Sequence, residues 1–296
     1  MLALIALPLA LATDPTFEGT EAVQPEAEKP ETKLSAELGG AFTTGNTYVG
    51  SLQAGLNGSR RWSANKLSLE SGTALVKARP DGNADGVVDY LDLRDLDASG
   101  DPTLEDCPED GVALEDCLPG WEWSSQRLFA ETRYDRFFGE KNSLYILGGA
   151  ERDSFAGLAY RVHEQIGWSR LLVHSDSTHL VAELGADFAQ EGFTDPAQES
   201  DVYPAVRVMV GFDHTFNENV AIADKVEVYE NVLSLIDEET YPKNDLRVYN
   251  TASLTAKLSD RFSVKFSHRL AIDNNPATGR RPLDQTTTVN LVASIF

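Results

Sequence analysis

The sequence predicts an all-β protein, an antiparallel transmembrane β-barrel of about twelve strands. Three observations predict it. Segment after segment between residues 34 and 296 alternates apolar and polar side chains with period two, the spacing of a strand with two unlike faces. The clearest case is 261–272: Phe262, Val264, Phe266, Leu270 and Ile272 share one parity, and Arg261, Ser263, Lys265, Ser267 and Arg269 share the other. The connections alternate between tight turns and longer polar loops, and the last residue, Phe296, is aromatic, as expected of an outer-membrane barrel. Ser294 stands where that terminal signal usually carries a second bulky apolar residue.

Composition narrows the class. The chain has 296 residues and a formal charge of −22, with 47 Asp and Glu against 25 Lys and Arg. Such a balance argues against nucleic-acid binding, which needs a basic footprint. No run of about 18 apolar residues follows the N-terminus, so a helical span is not expected. A barrel needs no such run, because only every second residue meets lipid and the closed sheet satisfies its own backbone.

Residues 1–12 form an apolar run ending Ala10, Leu11, Ala12, which reads as the remnant of a secretory signal without its basic start. Residues 13–33, rich in Pro, Glu and Thr, read as a disordered acidic leader. The barrel is expected over 34–296. Its first strand carries Leu34, Ala36, Leu38 and Phe42, and Thr44, Gly45, Asn46 and Thr47 turn into a second with Leu52, Ala54 and Leu56. A turn over 58–62 leads to a third strand with Leu67, Leu69 and Leu75. A long insert, 78–120, comes next. The fourth strand centres on Leu128, Ala130 and Tyr134, the fifth on Leu144 and Ile146, the sixth on Val162, Ile166 and Trp168. Leu180, Leu184 and Phe188 mark the seventh; a loop over 191–201 precedes the eighth, marked by Val206, Val208, Val210 and Phe212. Pro204 cannot donate to a ladder and marks the outer end of that strand or a bulge. Val220, Ile222, Val226 and Val228 make the ninth; Val248, Ala252 and Leu254 the tenth; 261–272 the eleventh; Val289, Leu291 and Ala293 the twelfth. Long loops follow odd-numbered strands and short turns follow even-numbered ones, as extracellular loops and periplasmic turns should.

The segment 34–56, with Gly39 and the turn Thr43, Thr44, Gly45, Asn46, Thr47, resembles the YdiY-like, salt-induced outer-membrane proteins, a family of unknown function. The resemblance covers 34–296 apart from the insert. It implies a bacterial outer-membrane barrel and offers no assigned catalytic residue; the expected function is structural or stress-related envelope integrity, or passage of small solutes. The expected partners are outer-membrane lipid, lipopolysaccharide and the barrel-assembly machinery.

The insert holds the sharpest local motif. Asp81, Asn83, Asp85, Asp89 and Asp92 place oxygen ligands at positions 1, 3, 5, 9 and 12 of a calcium loop, with Gly86 at the turn and the Val87 carbonyl as a further ligand. Ca²⁺ takes about six to eight oxygens at flexible distances, which alternating Asp and Asn around a glycine supply. Cys107 and Cys117, the only two cysteines, suit one disulfide in an oxidising compartment. Inside the barrel, Arg161, Arg207, Arg247, Lys257, Lys265 and Arg269 take lumen parity, facing acids such as Glu37, Glu151, Glu183, Asp187 and Glu227. The acids and bases form a ladder that either fills the lumen or lines a narrow pore with a basic stripe on the last three strands. An enzyme acting on lipid is the competing class. Ser267 and His268, however, are adjacent on a strand and point apart, and no nucleophile motif occurs, so the expectation is a non-enzyme. Trp62, Trp168, Tyr48, Tyr134, Tyr160 and Phe216 are expected in aromatic girdles.

Overall fold

A computed structural model of the chain describes residues 27–43, 49–78, 95–96, 102–103, 122–154, 157–233, 245–276 and 282–295. Its strands are β1 (Ala27–Thr43), β2 (Val49–Ser63), β3 (Asn65–Ala78), β4 (Asp95–Leu96), β5 (Pro102–Thr103), β6 (Glu122–Phe138), β7 (Asn142–Asp153), β8 (Leu158–His174), β9 (Thr178–Phe193), β10 (Asp201–Asn217), β11 (Val220–Asn231), β12 (Leu246–Lys257), β13 (Phe262–Asp273) and β14 (Leu283–Ser294). Twelve of them close into one antiparallel barrel, and β4 pairs only with β5 inside the insert. Closure is made by β1 against β14, from Ser35 opposite Ser294 to Gly39 opposite Asn290. Across the insert, β3 pairs directly with β6, Asn65 opposite Arg136 and Ala78 opposite Glu122.

The barrel is inside-out relative to a soluble core. Many of its large apolar side chains are exposed, among them Leu128 at 62%, Phe188 at 59% and Val202 at 64%. Its buried residues are largely charged or polar: Asp135 and Asp187 are at 0%, Lys265 at 1%, Glu183 at 3%. Water would not tolerate that outer surface, whereas a bilayer solvates it at no hydrophobic cost. The chain is therefore an outer-membrane β-barrel. Trp62 lies against Tyr134 with the rings tilted and centroids 6.5 Å apart, beside the short turns; Trp168 and Phe216 are on strands at the same end, Tyr160 lies toward the other, and Tyr48 lies outside the described residues.

Both termini of the barrel lie at the end carrying the short connections, as periplasmic turns require. These turns are hydrogen-bonded: Ser175 N donates to Thr178 O at 2.9 Å, and Leu258 N to Phe262 O at 2.9 Å. Gly139 takes φ +62° in the turn between β6 and β7, a conformation that costs glycine little.

Two sequence-based boundaries shift in the first strands. The leader expected over 13–33 gives way at Ala27 to β1, because Glu31, Thr32 and Lys33 pair with Arg61, Arg60 and Ser59. The turn expected over 58–62 is strand: Arg60 is exposed and Arg61 buried, so the alternation continues through polar residues, and the chain reverses only past Ser63, at φ +47°. Pro204 sits within β10 opposite Phe188 of β9, but pairing with β11 starts only at Ala205, so its missing donor leaves no gap in that ladder. The signal remnant 1–12 lies outside the described residues.

Candidate functional site

The inward-facing residues of β6–β12 build a chain of alternating charge across the lumen. Arg133 donates to Asp135 through Nε and Nη2, both at 2.9 Å, and to Glu183 at 2.8 and 3.1 Å. Glu183 also accepts from Arg207 at 2.7 Å, and Arg207 reaches Glu227 at 2.6 Å. Lys225 closes the series 3.0 Å from Glu227. The Tyr145 ring lies 4.0 Å beneath the Arg133 guanidinium, and its hydroxyl accepts from Arg207 at 2.9 Å. Room for that ring comes from Gly167 and Gly185, facing each other on β8 and β9: a Cβ on either would sit 2.5 Å from Tyr145. These charges survive burial because each is paired and hydrogen-bonded.

A second cluster lies nearer the long loops. Arg247 clamps Glu191 with two donors, one at 3.1 Å, and stands 3.4 Å from Asp273. Tyr203 donates to Glu191 at 2.7 Å, and Arg161 lies 3.4 Å from Glu191 and 3.7 Å from Asp187. His163 shares a 3.2 Å hydrogen bond with Asp187, and its ring lies where a Cβ on Gly149 would otherwise reach. At the closing seam, Lys265 donates to Glu37 at 3.1 Å and Asn290 donates to the other carboxylate oxygen at 3.1 Å.

Beside these clusters the lumen keeps a cavity of ≈ 510 Å³. Its described lining carries eight Lys and Arg side chains against four Glu. Most of the cations are committed to carboxylates. Arg127, for example, donates to Glu151 at 3.2 Å and lies 3.7 Å from Asp153. Arg269 differs: its guanidinium stacks over the Tyr249 ring at 5.1 Å and, among the described residues, has no carboxylate within ion-pair distance.

Of the six predicted lumen cations, Arg161, Arg207, Arg247 and Lys265 are buried inside the barrel and Arg269 lines the cavity. Lys257 does not line it. It lies at the short-turn end, exposed, 2.8 Å from Asp260, because lumen parity so close to a strand end places a side chain at the barrel mouth. On the last three strands, where a basic stripe is one of the two readings, Arg247 and Lys265 are held by Glu191 and Glu37. Ser267 faces the lumen and His268 the lipid; His268 shares a 2.9 Å hydrogen bond with Thr287. Sequence reading missed Tyr145, Tyr203, Tyr229 and Tyr249 as lumen groups, although their parity, opposite to that of the flanking Leu, Ile and Val residues, was the available signal. It also placed Glu191 in a loop, whereas β9 runs to Phe193. The calcium-loop residues Asp81, Asn83, Asp85, Val87, Asp89 and Asp92, and Cys107 with Cys117, lie outside the described residues.

Solved structures of similar architecture include the NanC porin, at TM-score 0.48 and 11% identity, covering 89% of this chain and 100% of that one. The KdgM porin aligns at TM-score 0.36 and 9% identity over 89% of this chain and 98% of that one. An anion-selective porin from Comamonas acidovorans aligns at TM-score 0.32 and 10% identity over 90% and 98%. No curated protein matches the chain. A family model does match, over residues 36–295, nearly the whole barrel: the chain belongs to the family described as "Protein of unknown function, DUF481".

Proposed function

We propose that this barrel is a narrow outer-membrane pore for small solutes and that it favours anions. The observation that carries the reading is the ≈ 510 Å³ lumen cavity whose wall holds a cationic excess, with Arg269 having no carboxylate within ion-pair distance among the described residues. An unpaired guanidinium in a confined, low-dielectric space attracts a passing anion more strongly than the same group in bulk water. The paired clusters keep the remaining charges fixed, so they set the shape of the passage rather than its selectivity. The test is single-channel recording of the refolded full chain in planar bilayers. Stable steps with a reversal potential displaced toward the anion equilibrium are expected; silence after independently verified insertion overturns the reading.

A second reading, a structural or stress-related barrel of the salt-induced kind, is favoured by the tightness of the ion-pair clusters, in which Glu183, Asp187 and Glu191 are at 3%, 0% and 1% exposure. It predicts no conductance and a deletion strain with a weakened envelope. We further propose that the insert binds Ca²⁺ through the Asp81–Asp92 spacing, stapled by Cys107 and Cys117, a reading that rests on sequence alone. Catalysis is not assigned. Two His–Thr pairs face lipid, His214 with Thr178 and His268 with Thr287.

A further inference from the structure

The outer face of β11–β14 carries a row of polar side chains. Asp224, Ala252, His268 and Thr287 form one cross-strand row over four consecutive strands, each opposite the next. All four have lipid-facing parity. Asn250, one step along β12, donates to one Asp224 carboxylate oxygen at 2.6 Å. His268 and Thr287 share their 2.9 Å bond. Apolar neighbours of the same parity, Ile222, Val226, Leu254 and Phe266, show that the row lies within the apolar band and not at a rim. In hydrocarbon, a carboxylate with one bonded oxygen has no water to complete its solvation, and lipid tails supply no partner.

We propose that this face is a contact between copies of the chain in the membrane. The row is self-complementary in chemistry: it offers a carboxylate and an amide oxygen as acceptors, and an imidazole, an amide and a hydroxyl as donors, which is what an isologous contact requires. A two-fold axis parallel to the barrel axis and passing β12 brings β11 of one copy to β13 of the other, the acid-bearing strand against the imidazole-bearing strand. At the centre, Ala252 and Ala256 carry only methyl groups toward the partner, so the two walls can approach closely enough for the polar groups to meet. Glu164, a lipid-facing carboxylate on β8 opposite Gly148 and Phe188, lies away from this face, and its replacement controls for the loss of one lipid-facing charge. The proposal is independent of whether the lumen conducts.

The test is native mass spectrometry of the full chain released from lipid nanodiscs. The wild type is expected at a multiple of the single-chain mass, and the D224L/N250L/H268L variant at the single-chain mass. A252W, which places an indole at the centre of the face and remains compatible with lipid, is expected to give single chains by itself. E164L is expected to keep the wild-type multiple. A wild type that appears only as single chains, or in a mass set by a different protein, overturns the proposal. Multiples that persist in both the triple variant and A252W overturn it as well.

Discussion

Glu183 is a buried carboxylate shared by two arginines, and removing it measures how dry the lumen is. Its two oxygens accept three hydrogen bonds, at 2.8 and 3.1 Å from Arg133 and 2.7 Å from Arg207, and it is 3% exposed. In Glu183→Ala, Arg133 keeps Asp135, and Arg207 keeps Glu227 and the Tyr145 hydroxyl. The two guanidiniums then face each other across a void with no acid between them. Breaking a buried pair by deleting one partner costs about 3–5 kcal/mol, whereas an exposed ion pair contributes about 1 kcal/mol or less. The expected loss is therefore about 3 kcal/mol or more. The assay is equilibrium urea unfolding in phospholipid vesicles, followed by fluorescence of the four tryptophans. A loss below about 1 kcal/mol for Glu183→Ala would refute this account and show the network to be bathed in water.

Further outcomes follow from the same geometry. Gly167→Val puts a branched side chain where a Cβ would already be 2.5 Å from Tyr145; the displaced ring releases Arg207, and a loss of about 1–3 kcal/mol is expected in the same unfolding assay. Wild-type stability in that variant would show that the ring has another place to go. Arg269→Glu should reverse the ionic preference of the conductance steps, while Lys257→Ala at the exposed turn should leave it unchanged; equal effects from the two would remove Arg269 from the selectivity argument. Calorimetric titration of the full chain with Ca²⁺ should show saturable uptake that D81N/D85N abolishes, and no heat at millimolar Ca²⁺ would remove the calcium loop.

The sequence by itself determined the architecture. Period-two alternation is a local property of a chain whose two faces meet different solvents, so the barrel strands, their number and the loop asymmetry were legible residue by residue. Leu128, Ile166 and Phe266 face lipid for the same reason that Arg133, Arg161 and Lys265 face inward. Boundaries were less legible where the inward residue was charged and the outward one also polar, as at Arg60 and Arg61, because alternation of hydrophobicity then vanishes while alternation of direction continues. Partnership was not legible at all. Which acid neutralises which base depends on register across strands far apart in sequence: Glu37 meets Lys265 only because β1 closes on β14, and Glu183 on β9 meets Arg133 on β6 only across the closed lumen. Parity placed six cations inside, but the closed barrel decided that Arg247 and Lys265 are neutralised, that Lys257 sits at the mouth, and that Arg269 remains to face the cavity. Direction is set by the pleat of one strand, whereas charge compensation is set by the closed circle of all twelve.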